Sequence, residues 1–177
     1  MIRIKVTDSG VNSEMAKLLQ RFDNPDAALK AIGERLVAFT VSRFDVSQDP
    51  YGVPWFLNSD TTLRRMLHGN PKNFVKSTGK VSALGLKRLA AKKPLIGESK
   101  ALSTQFSWRL VGNGVELSSP MRYAATQQFG AKKSDFPHLW GDIPARPFFP
   151  DVKRGLPGAL EDDIRQVLTE FLSLRNR

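Results

Sequence analysis

The chain has 177 residues, contains no cysteine and carries a formal net charge of +10 at neutral pH. Its length predicts one domain over residues 1–177, and its 41% hydrophobic and 25% charged residues are typical of a folded globular protein. The lack of cysteine excludes disulfides, thiolate metal sites and a cysteine nucleophile, and it suits a reducing cytoplasm. No apolar run reaches the roughly 18 residues that a membrane-spanning helix needs, so we expect no membrane contact.

The start of the chain alternates apolar and cationic residues over 2–6, which predicts a half-buried strand rather than a signal peptide. A short helical pattern follows around Met15, and Asn24-Pro25-Asp26 then has the composition of a helix start. From there a stripe of apolar residues predicts a long amphipathic helix of about five turns that ends before Asp49-Pro50. The stripe consists of Leu29, Ile32, Leu36 and Phe39.

Positive charge is concentrated in residues 61–100, which hold ten lysines and arginines against Glu98 alone. Residues 61–67 have the composition of two helical turns, but after Gly69 no clear period is visible, so we predict a flexible basic insertion over 58–93. Such a patch attracts phosphate or an acidic protein surface, and the alternative is a solvated loop kept soluble by its charge. The candidate contacts to DNA or an acidic partner are Arg64, Arg65, Lys87, Arg88, Lys92 and Lys93.

The second half of the chain has clearer patterns. Two alternating runs, 106–111 and 115–117, flank Gly112-Asn113-Gly114 and predict a β-hairpin. Residues 121–129 predict a short helix that ends at Gly130, and the three prolines of 143–150 restrict that segment to an edge strand or an extended clamp. An apolar stripe over 160–172 predicts a last helix. The predicted fold is α+β: an antiparallel sheet packed by the long helix and the C-terminal helix, with a long basic excursion.

Catalytic patterns do not assemble in this sequence. A phosphate-binding loop needs Ser or Thr after its Gly-Lys pair, but Val81 follows Gly79-Lys80. Glu98-Ser99-Lys100 resembles part of a metal-dependent nuclease core, but Pro25-Asp26 opens a helix and Pro150-Asp151 follows the triad in the wrong order. His68 and His138 are the only histidines. We therefore expect neither enzymatic activity nor a cofactor nor a metal.

Two short blocks are more specific than these patterns. Tyr123-Ala-Ala-Thr-Gln127-Gln128-Phe129-Gly130, followed by Ile143-Pro144-Ala-Arg146-Pro147-Phe148, resembles the signature of the phage virion morphogenesis (tail-completion) family. The turn that ends in Pro54-Trp55 is similar to another block of this family, whose members occur in long-tailed phages and Mu-like prophages. The resemblance spans about residues 1–57 and 94–172 and leaves the basic segment as the variable part. Gln127 stands where the family usually has histidine, and Glu98-Ser99 where it usually has a Thr-Gly pair.

The resemblance implies a non-enzymatic virion protein that completes the tail and joins it to the head at the neck. It implies tail and neck proteins as partners, a closed homo-oligomeric ring, and a location in the virion after assembly in the host cytoplasm. The residues implied as a structural or interface motif are Trp55, Tyr123, Gln127, Gln128, Phe129, Gly130, Pro144, Arg146, Pro147 and Phe148.

The chemistry of these residues suits such a role. The large side chains of Tyr123, Phe129, Phe148 and Phe149 are expected to pin the proline-rich segment against the sheet and the long helix. Arg146 is expected to present its guanidinium to a carboxylate, either in its own chain or in a neighbouring subunit.

A basic nucleic-acid-binding module is the competing class, supported by a pI near 10.2 and by the basic segment. The aromatic residues argue against it, because they are not interleaved with the cations and only Phe74 lies among them. A small hydrolase is a third class, for which no site is assembled.

Overall fold

The computed structural model describes residues 16–17, 19–20, 24–139 and 141–173. The predicted strand at residues 2–6 lies outside these ranges. Residues 16–17 and 19–20 are helical, in agreement with the helical pattern predicted around Met15.

The described residues form helices and one two-stranded antiparallel sheet, which confirms the predicted α+β class. In chain order the elements are α1 (Asp26–Val46), α2 (Asp60–His68), a 3-10 turn (Pro71–Asn73), α3 (Ala83–Ala91), α4 (Ala101–Thr104), β1 (Ser107–Val111), β2 (Gly114–Ser118), α5 (Ala124–Phe129) and α6 (Gly158–Leu172).

Helix α1 confirms the predicted long helix. It begins at Asp26, whose carboxylate complements the positive end of the helix dipole, and it carries Arg43 in its last turn. The four residues of the predicted apolar stripe are all buried or half-buried. The helix ends at Val46 because the next residue, Ser47, adopts a positive φ of 56°.

The chain divides into two compact units. One contains the chain up to Phe39, the hairpin Ser107–Ser118 and the chain from Leu156 onward; the other contains Thr40–Phe106 and Ser119–Gly155. That these units act as a single domain stays a prediction.

The first unit contains the predicted hairpin, in which Trp108 of β1 lies opposite Leu117 of β2. Gly112 turns the chain with a φ of +55°. The indole of Trp108 packs directly on Gly33 of α1, where an added Cβ would lie 2.4 Å from the ring. Its Nε1 also donates to Glu34 Oε1 at 3.1 Å. Helix α6 confirms the predicted C-terminal helix, with Leu160 fully buried.

The second unit has an aromatic core. Phe44, from the last turns of α1, lies edge-on to Trp55 with 5.1 Å between ring centroids and 5.6 Å from Phe148. Leu102 and Ala124 complete the buried cluster. These contacts fix the segments 47–57 and 143–150 against the end of α1.

The basic segment contains more helix than its sequence indicated. Helix α2 covers the two turns expected, but α3, which contains Gly85, lies in the stretch where the sequence shows no clear period. The structure explains this glycine: a Cβ at Gly85 would lie 2.5 Å from the carbonyl oxygen of Asn73. The side chain of Ser82 caps α3 by accepting from the amide of Gly85 at 3.1 Å. Flexibility of this segment stays a prediction.

Candidate functional site

The two predicted motif blocks lie side by side. The amide of Arg146 donates to the carbonyl of Gln127 at 2.7 Å, and Ala131 and Ile143 exchange two backbone hydrogen bonds of 2.9 and 2.8 Å. Gly130 joins the blocks at a φ of +75°, with the Ile143 carbonyl 2.8 Å from the position of its missing Cβ. A side chain at residue 130 would therefore push the two blocks apart.

Gln128 holds the second block through its side chain. Its Oε1 accepts from the amides of Phe148 and Phe149 at 2.9 and 3.0 Å, and its Nε2 donates to the carbonyl of Phe149 at 3.0 Å. Gln128 is buried, as is the Phe148 ring beside it. The side chain thus satisfies three backbone groups that the prolines of this segment keep out of a regular sheet.

Arg146 is buried and meets no carboxylate among the described residues, so the ion pair within its own chain is wrong there, while a pair with a neighbouring subunit stays a prediction. Its Nε donates to the carbonyl of Phe56 and its Nη2 to that of Leu57, both at 2.8 Å. Burial lowers the pKa of Arg146 from its ordinary value. The planar guanidinium fits two consecutive carbonyls, which makes this arginine an internal brace.

Trp55 adds a third hydrogen bond between the same segments, because its Nε1 donates to the carbonyl of Pro147 at 2.7 Å. We call Trp55, Gln128 and Arg146 the clamp. Together they fix segment 144–149 against α5 and against residues 55–57.

Two aromatic residues of the motif do not pack as expected. Phe148 is fully buried, but Tyr123 is 47% and Phe129 is 78% exposed. The reason is helical geometry: α5 turns Ala124 and Gln128, four residues apart, toward the core, so Phe129 points outward. Pro144 is exposed as well, and Gln127 has a buried Oε1 without a hydrogen-bond partner among the described residues.

An open groove of about 580 Å³ lies beside the clamp, and most of its lining is apolar. It includes Phe129, Phe149 and Val152, and the Val152 side chain is 97% exposed. Phe56 and Leu57, whose carbonyls bind Arg146, also expose their side chains, by 66% and 82%. Phe129 and Val152 share the groove, and exposed apolar grooves are typical of protein–protein contacts, whereas Phe56 and Leu57 form a second exposed pair. We call Phe56, Leu57, Phe129 and Val152 the apolar rim.

Sequence reasoning missed three residues of the rim. Only Phe129 was predicted as a site residue. Phe56 and Leu57 follow Trp55 in an apolar run that has neither a helical nor a strand period. Such a run is a sequence signal from which their exposure could have been predicted. Val152 stands alone between Asp151 and Lys153 and carries no signal in the sequence.

The six residues predicted as basic contacts differ in whether they hydrogen-bond to their own chain, and their contact with DNA or an acidic partner stays a prediction. Arg88 donates to Asn73 Oδ1 at 2.8 Å, Lys92 to the carbonyl of Ile96, and Lys93 to the carbonyl of Asp45 at 2.7 Å. Arg64 and Lys87 are exposed. Arg65 lines a second groove together with Thr62, Leu139 and Asp142. The structure therefore uses at least three of the six cations to hold its own chain together.

In the described ranges, no three histidine, aspartate or glutamate side chains form a group that could hold a metal ion. No helix there has the length and apolar composition required to cross a membrane. No curated protein and no solved structure matches this chain. The family model for the phage virion morphogenesis family matches residues 6–173, nearly the whole sequence and both motif blocks. The chain belongs to the phage virion morphogenesis family, which supports a structural role in phage virion assembly.

Proposed function

We propose that this protein completes the phage tail and joins it to the head at the neck, without enzymatic activity. The observation that carries the proposal is the family match over residues 6–173, together with the resemblance of the motif blocks to tail-completion proteins. The protein would then occupy the tail end or the neck of the virion and contact other tail and neck proteins.

The apolar rim supports a role through protein–protein contact. Burial of apolar surface contributes about 25 cal/mol per Å². A partner that covers these four large side chains would therefore gain favourable binding free energy. Arg146 of the clamp hydrogen-bonds the carbonyls of Phe56 and Leu57, and Gln128 of the clamp directly precedes Phe129 in α5. A preorganised apolar surface loses little conformational entropy when a partner covers it.

A closed ring of copies is the assembly that we propose for the virion. A ring needs two different patches on each subunit, because each copy contacts its neighbours head to tail. The rim provides two separate stretches of chain for this purpose, residues 56–57 and the groove that contains Phe129 and Val152. In this proposal, the remaining motif residues hold the segments that carry the apolar rim in position.

In vitro completion tests the proposal. Heads and tails are collected from a lysate of the parent phage that lacks this gene, and the purified full chain is added back. We expect infectious titre to rise by several powers of ten. The double variant Phe129→Ser and Leu57→Ser should restore at least tenfold less titre, whereas the control Val111→Ser, at an exposed valine of β1, should act like the wild type. Equal activity of both variants would contradict the role of the rim, and no rescue by the wild type would contradict the proposed function.

A further inference from the structure

A small hairpin in the basic segment carries three exposed lysines. Residues 74 and 81 form an antiparallel bridge, and the amide of Val75 donates to the carbonyl of Lys80 at 2.8 Å. Gly79 closes the turn with a φ of +65°. Lys76 and Lys80 lie at the tip and Lys72 at the base, all exposed. We call residues 72–81 the lysine hairpin.

The base of the lysine hairpin is anchored by Asn73, which is fully buried. Its Nδ2 donates to the carbonyl of Leu67 at the end of α2, and its Oδ1 accepts from Arg88 of α3, both at 2.8 Å. Its carbonyl accepts from the amide of Ser82 at 2.7 Å. The hairpin is therefore held between two helices, and its lysines project from a fixed base.

These three lysines differ from Arg88, Lys92 and Lys93 of the same segment. Their amines have no hydrogen-bond or ion-pair partner among the described residues, whereas Arg88, Lys92 and Lys93 bind oxygens of the chain itself. No acidic residue occurs between residues 61 and 97 to neutralise them. The hairpin thus carries three exposed positive charges that form no ion pair with the described residues.

We propose that the lysine hairpin binds the phosphate backbone of duplex DNA without sequence preference. Duplex DNA presents one phosphate charge per roughly 1.7 Å of its axis, so a surface of only a few residues faces several phosphates. This activity goes beyond the proposed role in tail completion and does not depend on it.

The chemistry of the hairpin favours DNA over an acidic protein. Its free cations are all lysines, which are depleted at protein–protein interfaces but act as point charges toward phosphate. It favours a duplex over a single strand because single-strand binding uses stacked aromatic rings. Phe74, the one aromatic residue of the hairpin, is half-buried with its ring 5.1 Å from that of His68.

Fluorescence anisotropy with a labelled 30-base-pair duplex of arbitrary sequence tests the proposal on the purified full chain. Three phosphate contacts predict a slope of about −2.7 for log affinity against log salt, or about a 40-fold loss between 50 and 200 mM NaCl. The variant Lys72→Gln, Lys76→Gln, Lys80→Gln should lose most of this slope. The control Lys132→Gln, Lys133→Gln, Lys153→Gln removes the same charge at exposed lysines elsewhere and should keep it.

Circular dichroism establishes that both triple variants are folded before affinities are compared. Equal losses in the two variants would overturn the proposal, because net charge alone would then explain binding. Unchanged binding by the hairpin variant would overturn it as well. Hairpin-dependent binding to polyglutamate with none to duplex DNA would assign the surface to an acidic protein instead.

Discussion

The side chain of Gln128 pairs with the backbone of Phe149 as a neighbouring strand would: Oε1 accepts from its amide and Nε2 donates to its carbonyl, both at 3.0 Å. A carboxamide has the same donor and acceptor as a peptide group, so one buried side chain replaces a strand that the prolines prevent. This pairing places the proline-rich block of the family signature against the helix that carries the other block.

Gln128→Leu should destabilise the protein by about 3 kcal/mol, because buried backbone groups at Phe148 and Phe149 lose their partners. Urea unfolding of wild type and variant measures the difference. Gln166→Leu, at an exposed glutamine of α6, is the control and should change the free energy of unfolding by less than about 0.5 kcal/mol. A similar effect of both substitutions would show that the pairing contributes little.

Arg146→Lys should destabilise by about 2 kcal/mol despite keeping the charge, because one ammonium cannot reproduce the planar pair of bonds to Phe56 and Leu57. Arg109→Lys is the matched control at an exposed ion pair with Glu116 and should have almost no effect. Thermal unfolding compares the decrease in Tm of the two variants. An equal decrease would contradict a bracing role for the two hydrogen bonds of Arg146.

Arg146 should add no pH dependence to stability between about pH 5 and 9. Burial lowers its pKa, so folding disfavours its charged form, and this cost is present throughout the range below the folded pKa. The cost is relieved only as pH rises through that lowered pKa, which is far above neutral. The difference in unfolding free energy between the wild type and Arg146→Met should therefore not change with pH over this range. A change in this difference would contradict an Arg146 side chain that stays charged throughout the range.

Gly33→Ala should destabilise the first unit by about 2 kcal/mol, although alanine is the better helix former, because the new methyl group overlaps the Trp108 indole. Gly158→Ala provides the control at the start of α6, where a Cβ meets nothing within 4 Å. That substitution should be neutral or stabilising. Unfolding followed by tryptophan fluorescence measures both, and a stabilising Gly33→Ala would show that the ring moves aside freely.

Asn73→Ala should loosen the lysine hairpin, because the ends of α2 and α3 lose their shared partner. Trypsin should then cleave after Lys76 and Lys80 at least tenfold faster than in the wild type. Asn113→Ala, at the exposed turn of the β-hairpin, should leave these cleavage rates unchanged. Rapid cleavage in the wild type itself would instead support the predicted flexibility of the insertion.

Local patterns were sufficient to predict α1, the β-hairpin and α6, because a continuous apolar stripe or a glycine turn lies within one stretch of sequence. Helix α3 was missed since Gly85 serves packing against Asn73, a contact that no local pattern encodes.

The sequence predicted the three clamp residues as part of the motif, but it did not predict the groups to which they hydrogen-bond. Trp55, Gln128 and Arg146 all belong to the recognised blocks, yet each binds backbone carbonyls or amides distant in sequence. Backbone groups are the same at every residue, so the sequence contains no mark of which carbonyl Arg146 will reach. The apolar rim follows from this geometry and was therefore predicted only at Phe129.

Electron microscopy of a lysate from the parent phage without this gene tests the role in tail completion and head–tail joining. We expect DNA-filled heads and separate tails whose head-proximal ends are ragged or over-long, with joined particles restored when the gene is supplied again. Normal joined particles in the absence of the gene would contradict a role in tail completion and head–tail joining.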